Sequence, residues 1–312
     1  MNRKPIIIGS GQYNYDIIKL REYPNGFIVG KKNPYVEKTL IEEVGGTCGN
    51  VMCILANLGW DVRPQVKLIN NEEGQKLADS LIQYGCNPQY ISLVDNGGYS
   101  GMLCIHRKSR KTGEHELGIR GFGPNGSQFR KITELRVRDE VPALLNTMTE
   151  IPDIYFFDHN EAGPRQIAKE LRSRGTLIYY EVENNRDWNK FIKSVEVADI
   201  VKFSDENVPD ITFCADYKNK LFIQTQGSKG LRFSLCGGEW VHLDPVKVDT
   251  VVDWEGCGDT ISAVFINELN KIGLPKVSEL TEEQVLTALG VAVEKAALCT
   301  QYYGSKGWLK SK

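Results

Sequence analysis

Val252-Asp253-Trp254-Glu255-Gly256-Cys257-Gly258-Asp259-Thr260-Ile261-Ser262 is the stretch on which the reading of this chain turns. Beyond its two glycines, Ile261, Val264, Phe265 and Leu269 recur at helical spacing and Gly273 stands where a C-terminal cap belongs. The spacing predicts a tight turn that opens directly into a helix. Gly256 and Gly258 permit backbone angles closed to other residues, and the unpaired N–H groups and dipole at a helix start favour negative charge. Asp259 would repel a phosphate there unless it has chemical work. The obvious work is to accept the proton of a hydroxyl that attacks a phosphoryl group. The alternative is a plain helix N-cap, a position that suits both Asp and Thr.

The rest of the chain bounds the choice. Its 312 residues suit one large domain with an appendage, and 41% hydrophobic with 25% charged residues is an ordinary globular composition. A net charge of -2 argues against nucleic acid or an anionic membrane as partner. The densest basic run, Arg107-Lys108-Ser109-Arg110-Lys111, reads as a solvated hairpin. No apolar run is long enough to span a bilayer, and Ile6-Ile7-Ile8 is too short for a signal-peptide core, so a cytoplasmic protein without membrane association is expected. The 8 cysteines are dispersed, with no CxxC pair and no His at metal spacing, and are read as reduced and buried. Cys257, at the helix start, is expected to be reactive.

Along the chain, Pro5–Gly9 reads as a buried strand, followed by Gly11 and, just past it, Asp16, an acid placed to hold hydroxyls. Alternating segments at about 22–44 and 97–123 predict a small sheet inserted as a lid. Gly45-Gly46-Thr47-Cys48-Gly49-Asn50 opens a second helix lined by Val51, Ile54, Leu55 and Leu58, with Asn50 at its start as a ligand candidate. From residue 150 onward strands and helices alternate, with strands at Ile154–Phe157, Thr176–Tyr180, Ile200–Phe203 and Leu221–Thr225. That rhythm predicts an α/β, doubly wound, mostly parallel Rossmann-like sheet. A glycine turn, Thr225-Gln226-Gly227-Ser228-Lys229-Gly230, leads into a hairpin, and Thr281-Glu282-Glu283-Gln284 reads as a capping box opening a long apolar helix.

Taken together, these segments resemble the ribokinase-like (PfkB) family of carbohydrate and nucleoside kinases over nearly the whole chain, as a single domain, 1–312. The family's D-T-x-G-A-G-D signature is similar to Asp253–Asp259, its double glycine and Asn to Gly45-Gly46 and Asn50, its G-x-x-x-x-D to Gly11–Asp16, and its T-x-G-x-x-G turn to Thr225, Gly227 and Gly230. The resemblance implies transfer of the γ-phosphoryl of ATP to a sugar hydroxyl with Mg²⁺. Asp259 would be the general base, and the backbone of Gly256, Cys257 and Gly258 the anion hole. Asp16, Gly46, Thr47 and Asn50 would hold the sugar, and Ser204, Thr225, Gly227 and Gly230 the nucleotide.

The departures refine this. Trp254 and Cys257 replace signature residues beside Asp253, where many members hold a monovalent cation such as K⁺. The family's N-x-x-E appears as Ser204-Asp205-Glu206-Asn207, which makes Glu206 the Mg²⁺ candidate. Glu181-Val182-Glu183-Asn184-Asn185-Arg186 is similar to the E-V-E-x-x-R run of ketohexokinase-like members, implying a ketose such as fructose or another neutral, ribose-like sugar, although Thr47 stands where those members place an Asn. Gly113-Glu114-His115 replaces the G-E-R turn of phosphofructokinase-like members, so an unphosphorylated sugar is expected. A nucleoside kinase, or a sugar- or nucleotide-binding regulator without catalysis, remains an alternative. Leu40, Val44, Leu103 and Ile105 give the small sheet an apolar face, and the resemblance implies a homodimer through it.

Overall fold

The computed structural model describes residues 3–95, 101–121, 135–183 and 185–310. The 97–123 segment is thus described only over 101–121, and Asn184 of the Glu181–Arg186 run lies outside the described residues.

Nine strands make the main sheet: β1 (Ile6–Ser10), β4 (Asp61–Ile69), β5 (Ile91–Val94), β8 (Ile154–Phe157), β9 (Leu177–Glu181), β10 (Ile200–Ser204), β11 (Leu221–Thr225), β12 (Leu231–Leu235) and β13 (Val241–Leu243). Their order is β13-β12-β11-β10-β9-β8-β1-β4-β5, parallel except for the β12–β13 hairpin at one edge. Most positions of the parallel strands are apolar because helices cover both faces. On one face pack α1 (Thr47–Asn57), α2 (Glu72–Gln83), α6 (Cys257–Lys271) and α7 (Glu282–Cys299), and on the other α3 (Glu140–Thr147), α4 (Ala162–Ser173) and α5 (Trp188–Val197). Ile7 belongs to the first core and its neighbour Ile8 to the second, as the two-residue period of a strand requires. The α6 face is the predicted one: Ile261, Val264, Phe265 and Leu269 are buried, and Gly273 follows the helix at φ 87. Thr281 and Gln284 form the expected capping box at the start of α7.

Strand β4 left no clear mark in the sequence, because Arg63, Pro64 and Gln65 sit in its middle. Tertiary partners make them tolerable: Arg63 pairs with Asp61 and Glu150, each at 2.6 Å, and Gln65 accepts from the Ser10 hydroxyl at 2.8 Å.

A smaller sheet is built from β2 (Asn14–Glu22), β3 (Val36–Gly45), β6 (Met102–Lys108) and β7 (His115–Gly121), in the order β3-β2-β6-β7. It takes in residues 14–22, ahead of the 22–44 segment read from the sequence. Asp16, just past β1 in the chain, is thus a residue of β2 in the smaller sheet, which begins earlier than the 22–44 segment. The chain leaves β1 at Ser10 and enters β2 at Asn14, and Gly11 in between is held by close approach, since a Cβ on it would meet the Asp158 carboxylate at 2.0 Å. Chain order reverses around β1, with β4 on one side and β8 on the other, so the carboxyl ends of β1 and β8 mark the crevice where such sheets bind ligands. Among the described residues no helix is long and apolar enough to cross a membrane.

Candidate functional site

Two glycine-started helices meet at that crevice. Gly46 (φ 78) precedes α1 and Gly256 (φ 78) precedes α6, and neither start has a side-chain cap. The backbone N–H of Cys48 in α1 already donates to the buried Asp158 at 2.9 Å, and the Gln12 N–H donates to both oxygens of the same carboxylate at 3.0 Å. One helix thus has its anion built in. Among the described residues no carboxylate accepts from the first N–H groups of α6, so that start keeps its preference for an anion.

Asp259 lies in the first turn of α6, half-buried, and accepts from the Asn50 amide at 2.6 Å. This is the contact that joins the two helices. Burial, aided by the charge of Glu181, raises the Asp259 carboxyl to about 7, against the opposing pull of the Asn50 hydrogen bond and of Lys202 and Lys306. The Asn50 carbonyl accepts from Ser305 Oγ and Lys306 Nζ, both at 2.7 Å. Lys306 is 1% exposed and also reaches Val44 O at 2.7 Å and Glu43 at 3.1 Å. Burial opposes its charge, yet Glu43 and Asp16 hold its pKa above the ordinary lysine value. Asn50 therefore has no freedom to turn its amide away from Asp259.

Below the α6 start, Lys202 pairs with Glu181, which accepts from Ser262, which in turn accepts from Tyr179 at 3.1 Å. A Cβ placed on Gly258 would lie 3.6 Å from the Lys202 ammonium, so this buried cation stands directly beside the anion turn.

Gly256 is held by close approach as well as by its angle. A Cβ there would come within 2.1 Å of Ser305 Cβ. Gly256→Ala is expected to destabilise the chain by at least ~1–3 kcal/mol through strain at a positive φ and to push Ser305 off Asn50, which urea unfolding would measure. The expectation of a reactive Cys257 is not met. Its half-buried thiol lies under α7 and donates to Ala296 O at 3.6 Å, and the neighbouring Cys299 together with partial burial pushes its pKa up. Tertiary packing overrides the helix dipole there.

The other sequence candidates fall around this centre. The Asp16 carboxylate lies over Gly45, where a Cβ would be 1.8 Å from it, and Gly46 lies against the Gln12 backbone. Thr47 is the first residue of α1. Ser204 and Thr225 stand opposite each other at the carboxyl ends of β10 and β11. Gly227 and Gly230 shape the turn that follows, and Gly230 comes so near Leu243 O that a Cβ would be 2.1 Å from it. Glu206 is exposed two residues beyond Ser204.

Asp253 does not fit a monovalent cation. Its side chain is buried, one oxygen takes the Lys108 ammonium at 2.5 Å and the Glu255 N–H at 3.2 Å, and the other takes the Gly304 N–H at 3.0 Å. A lysine of the smaller sheet already supplies the positive charge.

Asp158, Lys202, Glu43, Ser305 and Lys306 were not singled out from the sequence. Each is an isolated polar residue on a buried strand or loop, and only Lys202, in a β-branched run, carried a hint. A cleft of about 870 Å³ opens among Pro5, Pro152, Thr176 and Leu274 at the amino ends of the strands, the wrong end for this centre.

The architecture matches solved structures over nearly its full length. A nucleoside kinase from Burkholderia thailandensis in complex with inosine is 16% identical, with 97% of this chain and 93% of that chain covered and a TM-score of 0.66. A fructokinase with bound ATP from Xylella fastidiosa is also 16% identical, over 97% and 94%, with a TM-score of 0.69. A ribokinase from Arabidopsis thaliana complexed with ribose and ATP is 18% identical, over 99% and 98%, with a TM-score of 0.64. No protein-family profile matches the chain, and no curated protein matches its sequence. The chain has the ribokinase-like fold: a mixed α/β architecture with a large, mostly parallel sheet and a smaller one.

Proposed function

We propose that this chain is an ATP-dependent kinase that transfers the γ-phosphoryl group to a hydroxyl of a small, unphosphorylated sugar. The observation that carries the reading is the Asn50–Asp259 contact at an otherwise uncapped helix start, with the Asp259 carboxyl near 7. A general base works best when its pKa lies close to the operating pH. Asn50 occupies one Asp259 oxygen and leaves the other for the acceptor hydroxyl. As that hydroxyl oxygen bonds to phosphorus and the bond to the leaving ADP oxygen breaks, its proton passes to Asp259. The N–H groups of Gly256, Cys257 and Gly258, with Lys202 beside them, stabilise the charge on the moving phosphoryl group.

Asp16 and Asn50 hold the sugar, and the Ser204, Thr225, Gly227 and Gly230 end of the sheet takes the nucleotide. The exposed Glu206 suits a Mg²⁺ carried on the nucleotide phosphates, which such ions reach while keeping several waters. That ion would neutralise phosphate charge. The smaller sheet covers the sugar, excludes water and pairs two copies into a dimer; a monomeric mass in light scattering would remove the dimer.

The test is ADP release with Mg-ATP over ketoses, aldoses, sugar acids and nucleosides. Turnover on a neutral sugar supports the proposal; turnover on nucleosides alone, or on no acceptor, overturns it. Because Lys108 fills the place at Asp253, the rate is expected to stay the same when choline replaces K⁺, and Lys108→Met is expected to introduce a K⁺ requirement.

A further inference from the structure

The inner face of the smaller sheet carries a cluster that phosphoryl transfer does not use. His106 and Lys108 alternate on β6, and His115 lies opposite Lys108 on β7, so all three point to one side, towards the loop ahead of α6. There Glu255 meets them. His106 Nδ1 is 3.2 Å from His115 Nε2 and 3.1 Å from Glu255 Oε1, and His115 Nε2 is 3.5 Å from the same oxygen. We propose that His106, His115 and Glu255 form a site for a tetrahedral divalent transition metal ion of the zinc class, tying the smaller sheet to the loop that leads into the anion turn.

The spacing is the first argument. Donors on a tetrahedral ion with bonds of about 2.0–2.1 Å stand about 3.3–3.4 Å apart, close to all three edges of this triangle. In the metal-free chain a single tautomer choice satisfies the cluster, one ring N–H donating and the other ring nitrogen accepting, and an ion would take the place of that hydrogen.

Charge is the second argument. Asp253 and Glu255 share the Lys108 ammonium, and Asp16 faces the His106 ring, so three carboxylates gather here around one lysine and two imidazoles, a setting that favours a divalent ion. The surroundings are also those of a metal site. Lys108 holds the second Glu255 oxygen at 2.7 Å, which orients the carboxylate. Asp16 faces the far nitrogen of His106 at 3.7 Å, a buried nitrogen with no hydrogen-bond partner. His115 and Trp254 line an open cleft of about 480 Å³ that gives an ion its way in and a fourth ligand its place. The donor types, two imidazoles and one carboxylate, suit zinc rather than Mg²⁺ or Ca²⁺. Sequence spacing hid the site because its third ligand lies far along the chain from the hairpin.

The proposal does not rest on the kinase reading, and its test needs no turnover. The metal-stripped full chain is titrated with Co²⁺ and then Zn²⁺. Expected are one equivalent bound, the intense visible absorption of four-coordinate cobalt, its loss on adding Zn²⁺, and a rise in melting temperature. His115→Gln, which keeps a polar side chain of similar size, should weaken binding by at least ~10²-fold. The weak spectrum of six-coordinate cobalt, a thiolate charge-transfer band from cysteine ligation, or equal binding by His115→Gln would overturn it. The spectrum of the native chain decides even if the variant does not fold.

Discussion

Asp259→Asn is expected to lower kcat by about 10²–10⁴ while nucleotide binding persists, because it removes the proton acceptor and little else. Asn keeps the size of the side chain and an oxygen for the Asn50 amide. In the native chain the rate should rise with pH through about 7, where the carboxyl loses its proton, and the variant should lose that dependence. Stability should move the other way. The carboxyl is raised from 3.8 in the unfolded chain to about 7 when folded, so folding takes up a proton between those values. The contribution is fully favourable below the unfolded value and is lost as pH rises through about 7. An amide has no charge to bury, so Asp259→Asn should be more stable than the native chain at pH above ~8, by an amount on the order of 1–2 kcal/mol. The full shift, at 1.36 kcal/mol per pH unit, sets a ceiling of about 4, and the loss of a charged partner for Asn50 subtracts from it. At pH ~4 and below the gain should vanish, because the native carboxyl is then protonated. Urea unfolding at the two pH values checks this. An inactive variant that is also less stable at high pH would show that Asp259 is a structural cap and not a base.

Lys202→Met should be the most destabilising single change near the site, by about 3–5 kcal/mol, because it strands the Glu181 carboxylate in the interior beneath α6. The methionine fills the space, so the loss is electrostatic. Adding Glu181→Gln should restore much of the stability, since the pair is then replaced by neutral groups. The pH profile separates this role from simple support. Lys202 holds the Asp259 pKa down and Glu181 pushes it up, so Lys202→Met should shift the midpoint of the rate above 7 and Glu181→Gln below it. An unshifted midpoint in both variants would remove Lys202 and Glu181 from any part in setting the base.

The segments that were legible from the sequence share one property: their signal is local. The helical recurrence from Ile261 to Leu269, the capping box at Thr281, the glycine turn after Thr225 and the apolar runs at Ile154 and Leu221 are each contained in a short window. The doubly wound sheet follows from their alternation. Strand β4 is not legible because its polar middle is satisfied from Ser10 and Glu150, and the start of the smaller sheet at Asn14 is not legible because its pairing partners β3 and β6 lie far along the chain.

By itself, then, the sequence determined the strand–helix rhythm, the two glycine turns that start α1 and α6, and the presence of Asn50 and Asp259 at those starts. Tertiary structure alone decided that the two side chains touch, that Asp158 fills the start of α1, that the Cys257 thiol lies half-buried against Cys299 with its pKa raised, that Lys108 takes the place of a cation at Asp253, and that His115 meets Glu255. The physical reason is that backbone propensity and hydrophobic period act over a few residues, whereas charge pairing, desolvation and the close approach of two elements depend on distances in space that residue spacing does not encode.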